Sequence, residues 1–309
     1  MDFVQDACSL IMYDRRVKRY PSSYLQIAPR RAFLRTGPFC NHSSRPREQR
    51  MSADLKKWER AEVERSAAEA SHVDVDALVI ADLWRYIKPA ADTEYPLEYS
   101  YYLLGDTRGL RILDYGCGDG ENTAALAQRA VGSVTSLDIS PDLIAIARRR
   151  LAVNGITTRV NFVVGSAHQL PLPDESIDVV FGIAILHHLD LALARREVKR
   201  VLRKGGRAIF QEPVRNSRLL KFIRKLIPYR APDVSPFERP LTEGELKQFA
   251  QGYSSYHSKA FQLPVTNVLN LLPGLRLQRQ RWQQWDATIL KKAPALRNYA
   301  SVRVIELVK

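Results

Sequence analysis

The chain has 309 residues, enough for one large α/β domain or two small ones, and its 45% hydrophobic and 26% charged residues are ordinary for a soluble globular protein. Its net charge of +14 is uneven: residues 1–50 hold 10 Lys and Arg against 4 Asp and Glu, and residues 214–309 hold 17 against 6. This basic C-terminal part favours contact with an anionic partner. The three cysteines are too few for a disulfide framework. No apolar run is long enough to span a membrane. We therefore predict a cytoplasmic protein.

The N-terminal part falls into two segments. Residues 1–50 are Arg-rich and lack periodicity, which predicts a disordered basic arm or an extension upstream of the true start. Residues 51–105 are predicted to form a helical cap, with a charged helix over 53–70 and a more apolar helix over 75–87 that stops before Pro89.

A regular alternation of strands and helices begins at Arg111. The predicted strands are 111–115, 133–138, 159–164, 177–182 and 207–211. The predicted helices between them are 121–130, 141–154 and 187–202, the last one stopped by Gly205-Gly206. Short connections in such an alternation imply a parallel sheet with helices on both faces.

The alternation loosens after Pro213. The segment 216–227 predicts a short helix with an apolar face and a basic face. Such a helix could lie on an anionic membrane surface or cover a lipid-like acceptor. The alternative is a helix that packs on the core and leaves its basic face in solvent. A proline-rich loop, a capped helix over 242–251 and two late strands, 258–263 and 301–308, complete the chain.

The stretch "LDYGCGDG" places glycines at alternate positions between the first strand and the first helix of this alternation. Glu121 stands where a dinucleotide-binding loop has its third glycine, and no Gly-Lys-Ser/Thr follows, so neither a dinucleotide nor a P-loop site is favoured. Asp114 suits an ammonium group, and Asp138, at the end of the second strand, suits ribose hydroxyls. The pattern favours a nucleoside that carries a cationic amino group.

The segment "ILDYGCGDG" resembles the first motif of the class I S-adenosylmethionine-dependent methyltransferases. "VTSLDIS" resembles the second motif, and "FVVGSAHQLPLPDESIDVVFGIAILHHL" is similar to the third and fourth in the ubiquinone/menaquinone methyltransferase-like branch, also called methyltransferase type 11. The resemblance covers about residues 95–213. It implies a Rossmann-like, doubly wound, mostly parallel seven-stranded sheet over 106–309, with N-terminal helices and a lid insertion at about 214–298.

The resemblance also implies S-adenosyl-L-methionine as the methyl donor, with no metal. Its methionine portion would lie against the glycine loop, its ribose at Asp138, and its adenine against Ile139 and the third-motif loop. The implied cofactor-binding residues are Asp114, Tyr115, Gly116, Cys117, Gly118, Asp138, Ile139, Ser166, Ala167 and Ile183. Ser166 departs from the Asp that is common at this position in the family, so the adenine amino group loses a charged acceptor and we expect weaker binding.

Three residues are candidates for a general base or an acceptor-positioning group. His187 and His188 follow the fourth strand, and Glu212 ends the fifth, at the expected mouth of the site. Each has a structural alternative: the histidines as packing or capping residues at a helix start, and the carboxylate as a helix-start residue.

The acceptor is predicted to be a small or lipid-like molecule that is methylated on oxygen or carbon. The run "GIAILHH" replaces the Asn/Asp-Pro-Pro-aromatic motif of nucleic-acid amino-methyltransferases, which counts against a nucleic acid despite the basic charge. Two alternatives stay open: an RNA or protein methyltransferase that docks through the basic C-terminal region, and a non-catalytic cofactor-binding protein. The basic segments also favour peripheral contact with an anionic membrane surface.

Overall fold

A computed structural model describes residues 47–73, 78–80, 83–129, 131–156, 159–215, 239–263 and 279–309. By its internal contacts the chain divides into Met1–Lys56 and Lys57–Lys309, and the sheet, the core and the site lie in the second unit. The predicted N-terminal arm up to residue 46 and the predicted amphipathic helix over 216–227 lie outside the described residues.

The described strands form one seven-stranded sheet in the order β3-β2-β1-β4-β5-β7-β6. Pairing is parallel from β3 through β5, and antiparallel between β5 and β7 and between β7 and β6. The strands are β1 (Arg111–Tyr115), β2 (Ser133–Asp138), β3 (Val160–Val164), β4 (Ile177–Ile183), β5 (Leu202–Pro213), β6 (Ser255–Phe261) and β7 (Val302–Val308). The predicted Rossmann-like, mostly parallel sheet is confirmed.

Helices alternate with these strands as the sequence predicts. Three of the described helices begin with side-chain caps: Ser140 accepts a hydrogen bond from Leu143 N–H, Thr242 and Glu245 form a reciprocal capping box, and Asp190 caps a third helix. The helices are α1 (Arg47–Ala70), α2 (Trp84–Ile87), α3 (Pro96–Leu104), α4 (Glu121–Ala127), α5 (Pro141–Val153), α6 (Leu191–Val201), α7 (Glu243–Phe249) and α8 (Arg279–Lys292). Short 3₁₀ turns occupy Leu186–His188 and Pro294–Tyr299.

Strand β4 is the centre of the core, since every residue from Ile177 to Ile183 is buried. Both neighbours of β4 run parallel to it, so helices cover both of its faces and its sequence is almost continuously apolar. The carboxyl ends of β1, β2, β4 and β5 therefore meet along one edge of the sheet, which is the edge where open parallel sheets bind ligands.

Several predicted boundaries are wrong. Of the helix predicted over 75–87, the α-helix covers only Trp84–Ile87 among the described residues, and the strand predicted over 258–263 is Ser255–Phe261. The helix predicted over 187–202 begins only at Leu191, because the Asp190 carboxylate accepts the N–H groups of Ala192 and Leu193 as an N-cap. His187 and His188 precede it in a separate 3₁₀ turn. The fifth strand, predicted over 207–211, begins already at Leu202 and continues across Gly205-Gly206, with a register shift against β4.

Arg150 of α5 is fully buried and ties the glycine loop to the helix behind it. Its Nε donates to the Asp119 carbonyl at 2.8 Å, its Nη2 pairs with the Asp119 carboxylate, and its Nη1 donates to the Leu78 carbonyl at 3.3 Å. A buried guanidinium needs several such acceptors to offset its lost hydration. It thereby fixes the loop's last turn against α5.

Candidate cofactor and catalytic site

The ends of four adjacent strands bring the predicted site residues to one edge of the sheet. Asp114 lies near the end of β1, Asp138 ends β2, Ile183 ends β4 and Glu212 lies one residue before the end of β5. Parallel pairing sets these residues side by side, although they are up to 98 positions apart in the chain. A single site at this edge is consistent with all four.

The glycine loop turns tightly between β1 and α4. Gly116 N–H and Cys117 N–H both donate to the Leu137 carbonyl at 2.9 Å, and Gly118 N–H donates to Asp138 Oδ2 at 2.9 Å. A Cβ on Gly116 would lie 2.6 Å from Ile185 Cδ1, whereas a Cβ on Gly118 would meet nothing within 4 Å. Gly118 also has a φ of +51°. The loop is thus close-packed on its inner side and open in front of Gly118, where a ligand has room.

A buried carboxylate, Asp114, and a half-buried one, Asp138, flank this loop. Asp114 is 2% exposed, and burial raises its pKa to about 7, although the Thr123 hydroxyl donates to it at 2.6 Å. Burial also raises the pKa of Asp138, against the lowering effect of N–H bonds from Ser140 and Gly118. Buried carboxylates whose ionised form is disfavoured are suited to a cationic ligand, which would restore that form. Their chemistry fits the amino-bearing nucleoside that the sequence predicts.

The loop after β3 holds the residues predicted at the adenine. Ala167 is buried, and its carbonyl accepts the Tyr115 hydroxyl at 2.7 Å. The Tyr115 side chain is therefore part of the core and can face a ligand only through its backbone. Ser166 and Ile139 are half-buried. Burial raises the pKa of the Cys117 thiol well above its usual range, so this residue serves as a small neutral side chain.

Helix α1 contacts that same loop. The Ser166 hydroxyl donates to Glu59 Oε1 at 2.5 Å, and His168 Nδ1 lies 3.1 Å from the same oxygen. His168 Nε2 accepts the Asp190 N–H at 3.0 Å, so the proton of a neutral His168 is on Nδ1 and is donated to Glu59. These contacts join α1, the β3–β4 loop and the start of α6.

A second cluster lies at the ends of β4 and β5. His187 Nδ1 is 2.9 Å from Glu212 Oε2, and both side chains are almost fully buried. The other Glu212 oxygen accepts the N–H groups of Ile185 and Leu186 at 2.9 and 2.7 Å. Ala184, with a φ of +55°, makes the sharp turn that aims these two groups at the carboxylate.

His188 has a different environment from His187. Its ring contacts that of His187 at a tilt of 41°, with centroids 4.1 Å apart, and its Nδ1 is buried without a partner among the described residues. Burial lowers the pKa of His188 well below its ordinary value, and the neighbouring His187 and Arg65 of α1 lower it further. His188 is thus a neutral ring, and the structure brings only His187 into contact with Glu212.

Sequence reasoning missed three polar residues at this edge. Thr123 donates to Asp114 and also lies 3.0 Å from the Ser136 hydroxyl, while Glu59 and His168 hold the β3–β4 loop. The sequence gives only a weak indication that Thr123 belongs to the site, namely its position three residues after the last glycine of the loop. Glu59 has none, because it is one of several carboxylates on a charged helix and its contact is 107 positions away.

No group of three His, Cys, Asp or Glu side chains within the described ranges is placed to hold a metal ion. Across the same ranges, none of the helices has the length and apolar character that crossing a bilayer requires.

Comparison with known proteins identifies this arrangement. The strand order and the carboxylates that follow β1 and β2 define a class I methyltransferase fold. The sequence profile of the family described as "Methyltransferase domain" matches residues 113–210. Residues 113–210 match this family over about a third of the chain, and the predicted class and cofactor are confirmed.

Curated relatives match the central part of the chain. Methyltransferase GfsG of Streptomyces halstedii is 36% identical over 123 residues, which are 39% of this chain and 44% of the relative. The 27-O-demethylrifamycin SV methyltransferase of Amycolatopsis mediterranei is 40% identical over 100 residues, 32% of this chain and 37% of the relative. The ubiquinone/menaquinone biosynthesis C-methyltransferase UbiE of Idiomarina loihiensis is 35% identical, over 38% of this chain and 49% of the relative. The chain thus spans less than half the length of each of these three.

A solved structure agrees with the fold. The geranyl diphosphate C-methyltransferase from Streptomyces coelicolor superimposes with a TM-score of 0.51 at 17% identity, covering 81% of this chain and 96% of that chain. At this identity the likeness extends to the fold alone.

The raised pKa of Asp114 predicts that cofactor binding releases a proton. Between pH 6 and pH 8 the empty site loses the Asp114 proton, whereas a bound ammonium group favours the ionised carboxylate throughout. We expect S-adenosylhomocysteine to bind about tenfold more weakly at pH 6 than at pH 8. One pH unit below the pKa of Asp114, only roughly a tenth of this carboxylate is ionised in the empty site. Calorimetry in buffers of different ionisation enthalpy measures both the affinity and the released proton.

Asp114→Asn serves as the control for this measurement. The amide still accepts the Thr123 hydroxyl but does not titrate, so affinity should fall at pH 8 and change little with pH. A wild-type affinity that is independent of pH, or a pH dependence that persists in Asp114→Asn, would exclude this role for Asp114.

Proposed function

We propose that the protein transfers the methyl group of S-adenosyl-L-methionine to a small-molecule or lipid-like acceptor by O- or C-methylation, with His187 and Glu212 as the catalytic base. The observation that carries this proposal is the 2.9 Å contact between His187 Nδ1 and Glu212 Oε2 at the sheet edge that also holds Asp114 and Asp138. A buried imidazole oriented by a carboxylate is the arrangement used to remove a proton from an acceptor.

The chain's own groups have two tasks in this reaction. S-Adenosyl-L-methionine, when bound, supplies a methyl group already activated on a sulfonium. The glycine loop, Asp138 and the β3–β4 loop hold the donor in place, and such orientation is worth roughly 7–11 kcal/mol of barrier lowering. Glu212 keeps the proton of His187 on Nδ1, so that Nε2 accepts the proton lost from an acceptor hydroxyl or carbon, which adds about 10²–10⁴-fold.

His188 contributes the environment of this base. Its neutral ring packs beside that of His187, which is itself almost fully buried. With its pKa lowered by burial, His188 is a weaker base than an ordinary histidine and does not compete for the proton. We therefore assign the proton transfer to His187 and a packing role to His188.

The relatives' names favour a small organic acceptor. One is named as a C-methyltransferase of ubiquinone/menaquinone biosynthesis, and another as a methyltransferase of 27-O-demethylrifamycin SV. Both carbon and oxygen acceptors thus occur among proteins that match this domain, and a base such as His187 serves either chemistry.

The surface of α8 favours an acceptor that resides at a lipid surface. β6 ends and β7 begins at the edge of the sheet where Glu212 lies, and the Leu263 N–H donates to Asp286 of α8 at 3.0 Å, which anchors the helix there. Trp285 is 64% exposed and Ile289 39% exposed on this helix. The exposed basic residues of this helix and of the turn after it are Arg281, Lys291, Lys292 and Arg297. Exposed Trp flanked by basic residues suits the interface of an anionic membrane.

A labelled-methyl transfer assay tests the acceptor class. The protein is incubated with S-adenosyl-L-methionine labelled in the methyl group and a cell extract, which is then separated into lipid, small-molecule, RNA and protein fractions. We expect the label in the lipid or small-molecule fraction. Label in RNA or protein would replace the acceptor class that we propose, and label in no fraction, despite cofactor binding, would indicate a non-catalytic protein.

Glu212→Gln tests the proposed base in the same assay. The amide still receives the backbone N–H groups of Ile185 and Leu186 but cannot orient His187 as a base, so we expect kcat to fall by about 10²–10⁴-fold. Affinity for S-adenosylhomocysteine should stay within about threefold of wild type, since Glu212 is assigned to the acceptor side. Glu175→Gln, a carboxylate at the opposite edge of the sheet, is the control. An unchanged kcat in Glu212→Gln would refute the assignment.

A further inference from the structure

We infer that Lys259 and Lys291 bind an anionic group, a phosphate or a carboxylate, that the methyl acceptor carries. Lys259 lies on β6, and Lys291 lies in the last turn of α8. The inference rests on the proposed transfer to a small-molecule or lipid-like acceptor and adds one chemical group to that acceptor. Binding at this site can be measured without the methyl donor, so a failure of the inference can be told apart from a failure of methyl transfer.

Lys259 is a half-buried cation that forms no ion pair with a carboxylate of the described residues. Its Nζ lies 4.0 Å from the ring centre of Tyr99 and 5.0 Å from that of Phe261. It donates to the Thr93 carbonyl at 3.5 Å, which is long for a hydrogen bond. An ammonium group has three donors, so two of them have no acceptor within the described part of the chain. The aromatic rings hold the side chain in place and leave these donors for a ligand.

The electrostatic surroundings of Lys259 favour an anion. Helix α8 packs against β6 and thereby brings Lys291 toward Lys259. Burial lowers the pKa of Lys259, and the charge of Lys291 lowers it further, whereas Asp92 and Glu94 each oppose this with a smaller effect. The charged form of Lys259 is therefore disfavoured by lost hydration and by a second cation. A bound anion would compensate for both causes.

A second observation on the same face of the sheet indicates a polar ligand. Val304 of β7 pairs with Gln211 of β5 on one side and with Lys259 of β6 on the other, so the three side chains lie in a row on one face. Gln211 is 2% exposed, and its Oε1 has no hydrogen-bond partner in the described part of the chain. A buried amide oxygen without a donor is costly, and a ligand that supplies the donor would remove this cost.

The row also indicates the length of the acceptor. Neighbouring strands are about 4.8 Å apart, so the backbones at Gln211 and Lys259 are separated by roughly 10 Å across the sheet. Gln211 directly precedes Glu212, the proposed partner of the base, near the end of β5. Helix α3 covers this face beside Lys259, since the rings of Tyr99 and Phe261 are 5.5 Å apart. An acceptor that reaches from Lys259 to Gln211 thus has its anionic group roughly 10 Å from the group that contacts Gln211.

Calorimetric titration of the full chain with four ligands tests the site. Octyl phosphate and octanoate carry an anionic group on an apolar chain, octanol carries the chain with an uncharged group, and inorganic phosphate lacks the chain. We expect at least one of the two octyl anions to bind about tenfold or more tightly than octanol and inorganic phosphate, because hydrogen bonds to a charged group contribute about this much. If neither octyl anion binds more tightly than octanol, or if inorganic phosphate binds as tightly as both, the inference is overturned.

Variants of the two lysines locate the site. Lys259→Gln should weaken binding of the preferred octyl anion by about tenfold or more. Lys291→Gln should weaken it by about three- to tenfold, because Lys291 is exposed and its charge is partly screened. Lys259→Arg keeps the charge and the contact with the aromatic rings, so it should bind within about threefold of wild type. Lys204→Gln, exposed at the other end of β5, removes the same charge and should bind as wild type does.

Two results would contradict the site. An unchanged affinity in Lys259→Gln overturns the inference, and so does an equal loss in Lys204→Gln, which would show attraction to the overall positive charge. If circular dichroism shows that Lys259→Gln does not fold, the comparison of Lys291→Gln with Lys204→Gln decides. Equal affinities of these two variants overturn the inference, and weaker binding by Lys291→Gln alone supports it.

Discussion

The central constraint on this protein is the burial of Asp114 and the partial burial of Asp138 at the ends of neighbouring parallel strands. Asp114 and Asp138 lie beside one loop, and burial disfavours the ionised form of each. Desolvating a carboxylate is costly unless hydrogen bonds or an opposite charge compensate. The Thr123 hydroxyl and the N–H groups of Ser140 and Gly118 compensate in part. A ligand with a cationic amino group would complete the compensation, whereas a phosphate would add a like charge beside the carboxylates.

The rest of the structure keeps these carboxylates in place. The glycine loop can approach Asp138 closely because Gly116 packs directly against Ile185 and leaves no space for a side chain. Arg150 holds the far end of the loop through Asp119, and β4 supports it from the core. The turn at Ala184 then aims two N–H groups at Glu212, which in turn orients His187. Donor site and proposed base are thus built on the same rigid strand ends.

Much of this arrangement can be predicted from the sequence, because it depends on local patterns. The alternation of apolar strands with capped helices predicts the parallel sheet, and the positions of Asp114 and Asp138 relative to the glycines place both at strand ends. The sequence predicts too early a start for α6, because the periodicity of the following apolar residues conceals the N-cap at Asp190. The Gly205-Gly206 pair predicts a break, whereas the strand continues through it with Gly205 at a φ of +71°.

The contacts that sequence could not supply are those between distant segments. Glu59 and Ser166 are 107 residues apart, and nothing distinguishes Glu59 from the other carboxylates of α1 until the helix is placed on the domain. The contact between His187 and Glu212 can be predicted only in part from the sequence. The positions of the two residues at the ends of β4 and β5 make both of them candidates, but their 2.9 Å contact depends on the turn at Ala184. Long-range packing decides which candidate side chains meet.

Binding of the methyl donor is the central claim, and calorimetric titration of S-adenosyl-L-methionine into wild type and Asp138→Ala tests it most directly. Asp138 bonds the loop at Gly118 and is the predicted acceptor for the ribose hydroxyls, so its loss removes both. We predict saturable one-site binding by the wild type and no measurable binding by Asp138→Ala with its fold retained. Absence of binding by the wild type, or equal binding by the two proteins, would contradict the account.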